Sequence, residues 1–254
     1  MKEVVQEYSI ASEESEEDNT YLSYNKVIGT TLDEKLYLAF EILDYALLSA
    51  PGAPLKQALL DAGIGKDIYG DYSDGVLQPY FSVIAKGARA ARKEEFVSII
   101  RNCLQDIVKN GIDKKAVLSG INYMEFRYRE ADFGQFPKGL MYGLDIMGSW
   151  LYDDENAFSQ VQLLSIYDRL KEAVNEGYFE KLIQKWLLDS THGLILTLVP
   201  KRGLAAQREK ELADKLEAYR SSLSDGQLEE MVEKLLKLTR NQRRDRRIFS
   251  VFRC

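Results

Sequence analysis

The chain has 254 residues, 45% hydrophobic and 29% charged, with a formal net charge of −6. That length and balance suit one large globular domain, or a domain plus an appendage, with a sizeable core. The negative balance excludes a generic nucleic-acid binder, which needs concentrated Lys and Arg, and the chain holds no run of about 18 apolar residues to span a membrane.

In chain order, Val4 to Ile10 reads as a short strand, and Met1 to Ile10 lacks the basic and apolar regions of a secretory signal. Ser12 to Asn19 (SEESEEDN) is an acidic run expected as a solvated loop. Tyr21 to Gly29 alternates as a second strand. Asp33 to Ser49 is a helix, with Leu32, Leu36, Phe40, Leu43 and Leu47 at spacings of three and four. Ser49-Ala50-Pro51-Gly52 stops it, and Pro54 to Ala62 forms a short helix ended by Gly63. Ile64 to Tyr72 and Val76 to Lys86 read as a hairpin around the turn signal Asp74-Gly75, with Phe81, Val83 and Ala85 on one face.

After Lys93 the periodicity becomes helical. Phe96, Ile99, Ile100, Cys103, Leu104, Ile107 and Val108 form a stripe ended by Gly111. Asp113 to Asp132, Lys138 to Tyr152 and one or two helices in Asn156 to Leu188 follow. Leu194 to Val199 is a last strand, closed by Pro200. Strands, then a block of helices, then a returning strand predict an α+β fold: a largely antiparallel sheet with helices on one face. Leu204 to Tyr219 and Gln227 to Thr239 form a charged helical hairpin. Ser224 and Gln227 cap its second arm, and Leu212, Leu216 and Tyr219 face Leu228, Val232, Leu235 and Leu236. The expected boundaries are an αβ domain over 1–200, a hairpin over 201–240 and an atypical tail over 241–254.

Candidate chemistry is sparse. The single histidine, His192, precedes Gly193-Leu194-Ile195-Leu196 beside a strand, with a turn hydrogen bond as its expected role. A catalytic zinc site needs three protein ligands and an open position, which one histidine followed by no Glu and no partner His cannot supply. Gly65 to Gly70 has the glycine spacing of a phosphate loop but continues Asp71-Tyr72 where Lys-Ser/Thr is needed. Asp67, Asp71 and Asp74 lack calcium-loop spacing. Cys103 reads as a small core residue, and Asp153-Asp154-Glu155 as a polar helix end. Two distant cysteines, Cys103 and Cys254, make no disulfide framework and point to a reducing compartment, with the cytoplasm as the expectation. Arg127, Arg129, Glu130 and Asp132 are the polar group to watch, either as an ion-pair network at a domain boundary or as the lining of a peptide chamber.

Several blocks, YLSYNKVIG (21–29), AFEILDYALLSAPGAPLKQALLDAGIGKDIYGDY (39–72), FRYREADFGQFPKGLMYG (126–143) and WLLDSTHGLILTLVP (186–200), resemble the presequence proteases of the insulinase and pitrilysin group. LADKLEAYRSSLSDGQLEEMVEKLLKLTR (212–240) resembles their hinge segment, so the likeness runs in order from roughly Val4 to Arg240. The resemblance implies a metalloenzyme-like αβ sandwich within a clamshell of four related domains. Such enzymes degrade targeting peptides and short unfolded peptides, and their zinc sits in an H-x-x-E-H motif of the first domain. This chain would be the non-catalytic second domain plus hinge, inactive alone and without a cofactor. Its partners would be the catalytic domain and C-terminal half of the enzyme, together with the peptide substrate. The group also contains paired chains, one with zinc and one without, so a stand-alone scaffold subunit beside a separate zinc-bearing chain is the alternative. Residues 241–254 (NQRRDRRIFSVFRC) depart from the family pattern and read as a truncated or frame-shifted end, or as a tail that docks on an anionic surface.

Overall fold

The structure is a computed structural model that describes residues 1–131 and 133–251, with side chains described as far as 239. Five strands, β1 (Lys2–Ile10), β2 (Thr20–Val27), β3 (Asp67–Ser73), β4 (Tyr80–Ala88) and β5 (Gly193–Arg202), form one sheet in the order β1-β5-β2-β4-β3. The fold is mixed α+β, as the element order predicts. The last strand enters beside the second, and β2 pairs antiparallel with both β4 and β5.

Registry shows which face is covered. Leu22 lies opposite Ala85, Tyr24 opposite Val83 and Lys26 opposite Phe81, and Ile195 lies opposite Tyr24. These side chains are buried and share one face. Lys26 is only 1% exposed. Its ammonium donates to the Ser190 carbonyl and lies 5.5 Å from the Tyr24 ring centroid. Burial lowers its pKa, with Arg101 adding to the effect. The other face carries small polar groups: Asn25 Oδ1 accepts from Ser23 Oγ at 2.9 Å and Ser82 Oγ at 2.7 Å, and its Nδ2 donates to Leu194 O at 3.0 Å. One apolar and one polar face is the usual economy of an antiparallel sheet.

The helices α1 (Glu34–Asp44), α2 (Pro54–Asp61), α3 (Lys93–Asn110), α4 (Lys114–Glu130), α5 (Lys138–Trp150), α6 (Leu164–Ala173) and α7 (Tyr178–Leu182) belong to the same compact unit as the sheet. Asp33 caps α1 by accepting from Leu36 N at 3.0 Å, and Asp113 caps α4 by accepting from Lys115 N at 2.9 Å. α1 is apolar on most of its circumference, burying Leu36, Leu38, Ala39, Phe40, Ile42 and Leu43, so it can sit centrally. It continues as a π-helical turn, Tyr45–Ser49. Gly70 lets α1 approach β3, since a Cβ there would overlap the Asp44 carboxylate and would meet Leu48 Cδ1 at 2.5 Å.

Several expectations are corrected. β3 and β4 are joined by residues 74–79, not by a tight Asp-Gly turn, and β4 begins at Tyr80. The connection is held elsewhere: Leu77 O and Pro79 O accept from Thr31 N at 3.0 Å and Ile28 N at 2.8 Å. Pro200 lies inside β5 and does not close it. It is tolerated because the ladder with β2 ends at Leu198, so its missing N–H costs that ladder nothing. Asn156 to Leu188, by contrast, holds two helices within the expected one or two: Gly177 turns the chain at φ 68° between α6 and α7, and α7 runs on as a π-helical stretch, Ile183–Asp189.

The second compact unit comprises 9–12 and the described residues from 202 onward. Its helices are α8 (Leu204–Ser222) and α9 (Asp225–Val251), so α9 runs beyond the expected Thr239. Ser224 and Gln227 form the expected capping box: Ser224 N donates to Gln227 Oε1 at 2.9 Å, and Gln227 N donates to Ser224 Oγ at 3.4 Å. The expected apolar seam between the arms does not form. Leu212, Leu216, Tyr219, Val232, Leu235 and Leu236 are each more than half exposed. The arms are supported instead by pairs along α9, Glu230 with Lys234 at 2.7 Å and Glu233 with Lys237 at 2.8 Å. The tail's side chains, and residues 252–254 entirely, lie outside the described residues. No described helix is long and apolar enough to cross a membrane.

Candidate functional site

α1, α4, α5, α6 and the segment around Gln160 enclose a hollow of about 270 Å³. α1 contributes Tyr37, Leu38 and Glu41, and α4 contributes Met124, Arg127 and Tyr128. α5 adds Met141, Tyr142 and Asp145, and α6 adds Tyr167. The Phe133 and Tyr142 rings meet edge to face with centroids 5.3 Å apart, and Tyr128 and Tyr167 lie 5.9 Å apart. Gln160 Nε2 donates to Thr31 Oγ1 at 2.7 Å, tying this edge to the segment after β2.

The electrostatics of the hollow are unbalanced. Glu41 and Asp145 line it and Asp74 lies beside them, while Arg127 is the one cation among the described lining residues. Tyr37 Oη donates to Asp74 Oδ2 at 2.8 Å. Burial, reinforced by Asp74 and Asp145, pushes Glu41 up to about 8. Burial and Asp74 also raise Asp145. The Tyr37 and Tyr167 phenols rise as well, chiefly through burial.

Of the four polar residues singled out in the sequence, the three that are described, Arg127, Arg129 and Glu130, are not gathered into one network. Arg127 lines the hollow, with its guanidinium carbon 5.7 Å from the Tyr123 ring centroid. Arg129 donates to Glu125 Oε1 from Nε at 2.9 Å and Nη2 at 2.6 Å, and Lys171 reaches Glu125 Oε2 at 2.5 Å. This ties α4 to α6 and holds the Glu125 carboxyl below its ordinary range, the Lys171 hydrogen bond weighing most. Glu130 borders a separate surface hollow with Phe126, Phe136 and Lys138. Asp132 lies outside the described residues. Glu41 and Asp145 were missed because a lone carboxylate in a helix ordinarily reads as solvent-facing. The available signal was Glu41's place in a helix that is apolar on nearly every side.

His192 is exposed, and its backbone does the work the sequence suggested: its carbonyl accepts from Val27 N at 3.1 Å and its N–H donates to Ser190 Oγ at 3.2 Å. Among the described residues no three His, Cys, Asp or Glu side chains gather as a metal shell requires. The described residues therefore do not fit a catalytic zinc ion. Cys103 is half-buried against the core, and burial raises its thiol to about 11, away from nucleophilic use.

Residues 2–124 match the family described as the peptidase M16 inactive domain. Protein HypA of Clostridium perfringens is 38% identical over 242 residues, 95% of this chain and 25% of that protein. Presequence protease 1 of Arabidopsis thaliana, chloroplastic/mitochondrial, is 30% identical over 205 residues, 79% of this chain and 19% of that protein. The chain thus spans a quarter or less of the length of these relatives. A solved inactive peptidase domain from Bordetella parapertussis shares the fold with a TM-score of 0.57 at 10% identity, covering 72% of this chain and 93% of that one. The chain is thus related to the M16 peptidases of the insulinase and pitrilysin group, the presequence proteases among them, and carries over residues 2–124 the pattern of their inactive domain.

Proposed function

We propose that the chain serves as a non-catalytic wall and hinge portion of a zinc metalloendopeptidase that degrades targeting peptides and short unfolded peptides. The observation that carries this reading is the sole histidine, exposed in a loop and engaged through its backbone, in a chain related to an inactive-type domain. Its partners are a zinc-bearing catalytic segment, the remaining portion of a longer enzyme, and the peptide itself. The zinc belongs to the catalytic segment, and the working compartment is a reducing one such as the cytoplasm. Two further features support a wall that is covered in the working enzyme. α5 presents Leu144 and Trp150 with more than half of their surface exposed. α8 and α9 leave apolar residues free for packing.

Complementation tests the reading. The zinc-bearing segment of the enzyme is assayed on a fluorogenic targeting peptide, with and without this chain. The expected result is no cleavage by the chain alone and at least a ten-fold, chelator-sensitive gain when the two are combined. Chelator-sensitive cleavage by the purified chain alone would overturn it.

A further inference from the structure

The hollow bounded by α1, α4, α5 and α6 has a chemistry that a bare wall does not need. Its volume of about 270 Å³ lies at the lower edge of the roughly 300–1,000 Å³ of small-molecule sites and has room for one long side chain. Its walls combine the tyrosine rings of residues 37, 128, 142 and 167 with the carboxylates of Glu41 and Asp145. Tyrosine faces attract cations through the ring quadrupole, and carboxylates supply charge and hydrogen-bond acceptors. Arg127 offsets one negative charge, but Asp74 beside the hollow adds a third carboxylate, so ionisation of all three leaves an excess of negative charge.

We propose that this hollow is a subsite for a cationic side chain, arginine or lysine, of a bound peptide, with Glu41 and Asp145 as its anionic receptors and the tyrosine rings as its walls. The choice of a peptide as carrier rests on the function proposed above, whereas the cation rests on the hollow alone. Binding is coupled to a proton. Glu41 faces Tyr37 of its own helix, Tyr72 of β3, Asp74 of the following segment, Arg127 of α4, Asp145 of α5 and Tyr167 of α6. Among these its carboxyl holds a proton up to about pH 8. A bound guanidinium favours the carboxylate, so binding releases that proton, and affinity rises with pH until Glu41 is ionised in the free protein.

The test is calorimetric titration of the full chain with N-acetylated, C-amidated hexapeptides that are identical except for one position: arginine, lysine or norleucine. Arginine and lysine peptides should bind at least ten-fold more tightly than the norleucine peptide. Affinity for the arginine peptide should rise between pH 6 and pH 8.5, with proton release measured across buffers of different ionisation enthalpy. Glu41→Gln and Asp145→Asn, checked singly for cooperative thermal unfolding, should each weaken arginine binding several-fold and leave norleucine binding unchanged. Equal affinity for arginine and norleucine peptides on the unaltered chain overturns the subsite without touching the complementation result. A peptide whose only cation is its amino terminus, binding as tightly as the arginine peptide at pH 7, overturns the side-chain assignment. Failure of complementation with arginine selectivity intact would leave the subsite standing and remove the enzyme around it.

Discussion

Glu41 occupies a helix whose neighbours Leu38, Phe40, Ile42 and Leu43 are buried, and its carboxyl titrates near 8, well above the ordinary 4.5. In the unfolded chain the proton leaves near 4.5, so the folded state binds more protons between the two values and stability falls as pH rises through that window. Replacing Glu41 with Gln removes the penalty. Because the group is only partly buried, the gain expected at pH 9 is about 1–3 kcal/mol by urea unfolding, less than the full shift implies at ~1.4 kcal/mol per unit. The gain should vanish near pH 4. A variant no more stable than the parent at pH 9 would show that solvent already relieves the carboxylate. Glu125 behaves in the opposite sense. It is 7% exposed and accepts from Arg129 and Lys171. Glu125→Ala should cost about 1–2 kcal/mol, between the ~0–1 kcal/mol of exposed pairs and the ~3–5 kcal/mol of broken buried ones, because both cations reach solvent. Its folded pKa is lowered, so this contribution is present above the unfolded value and is lost as pH falls through the folded one.

At the level of elements, Gly120 sets helix propensity against packing. In an exposed helix, Gly→Ala gains about 1 kcal/mol. In α4, a Cβ at position 120 would stand 2.8 Å from Tyr45 Cδ1, in a ring stacked on Tyr123 at 5.9 Å. Gly120→Ala should therefore destabilise by about 1–3 kcal/mol in thermal or urea unfolding, because the ring must move; a stabilised variant would mean that the ring yields freely. The same elements show what the sequence carries and what it withholds. Periodicity marks α1, α3 and α4 and the buried face of β4, since burial of Phe81, Val83 and Ala85 follows directly from alternation. The place of β5 between β1 and β2 depends on pairing across more than 160 residues, which no local window encodes. The missing seam between α8 and α9 has a related cause: apolar spacing shows that residues could face each other, not that two arms approach. Of the candidate site, Arg127 stood out in a charge-rich stretch, while Glu41 and Asp145 meet it only through the packing of α1, α4 and α5.

For the whole molecule, the decisive feature is surface that a self-sufficient globule would bury. α5 buries only Ser149 among its residues, while Leu140 and Leu144 lie open at 54% and 56%. Contiguous apolar surface of this kind drives association. The chain alone should therefore show concentration-dependent sedimentation, and the paired substitutions Leu140→Gln and Leu144→Gln should diminish it without lowering the unfolding midpoint. A monomeric parent at high concentration would remove the argument that α5 is built to be covered.

Among the described residues no side chains gather into a coordination shell for zinc, and the proposed non-catalytic role requires that the chain hold none. Equilibrium dialysis of the purified chain against micromolar zinc, followed by elemental analysis, tests it most directly. Far less than one zinc per chain is expected, unchanged when His192 is replaced by Ala. One tightly retained zinc per chain, lost on that replacement, would contradict it.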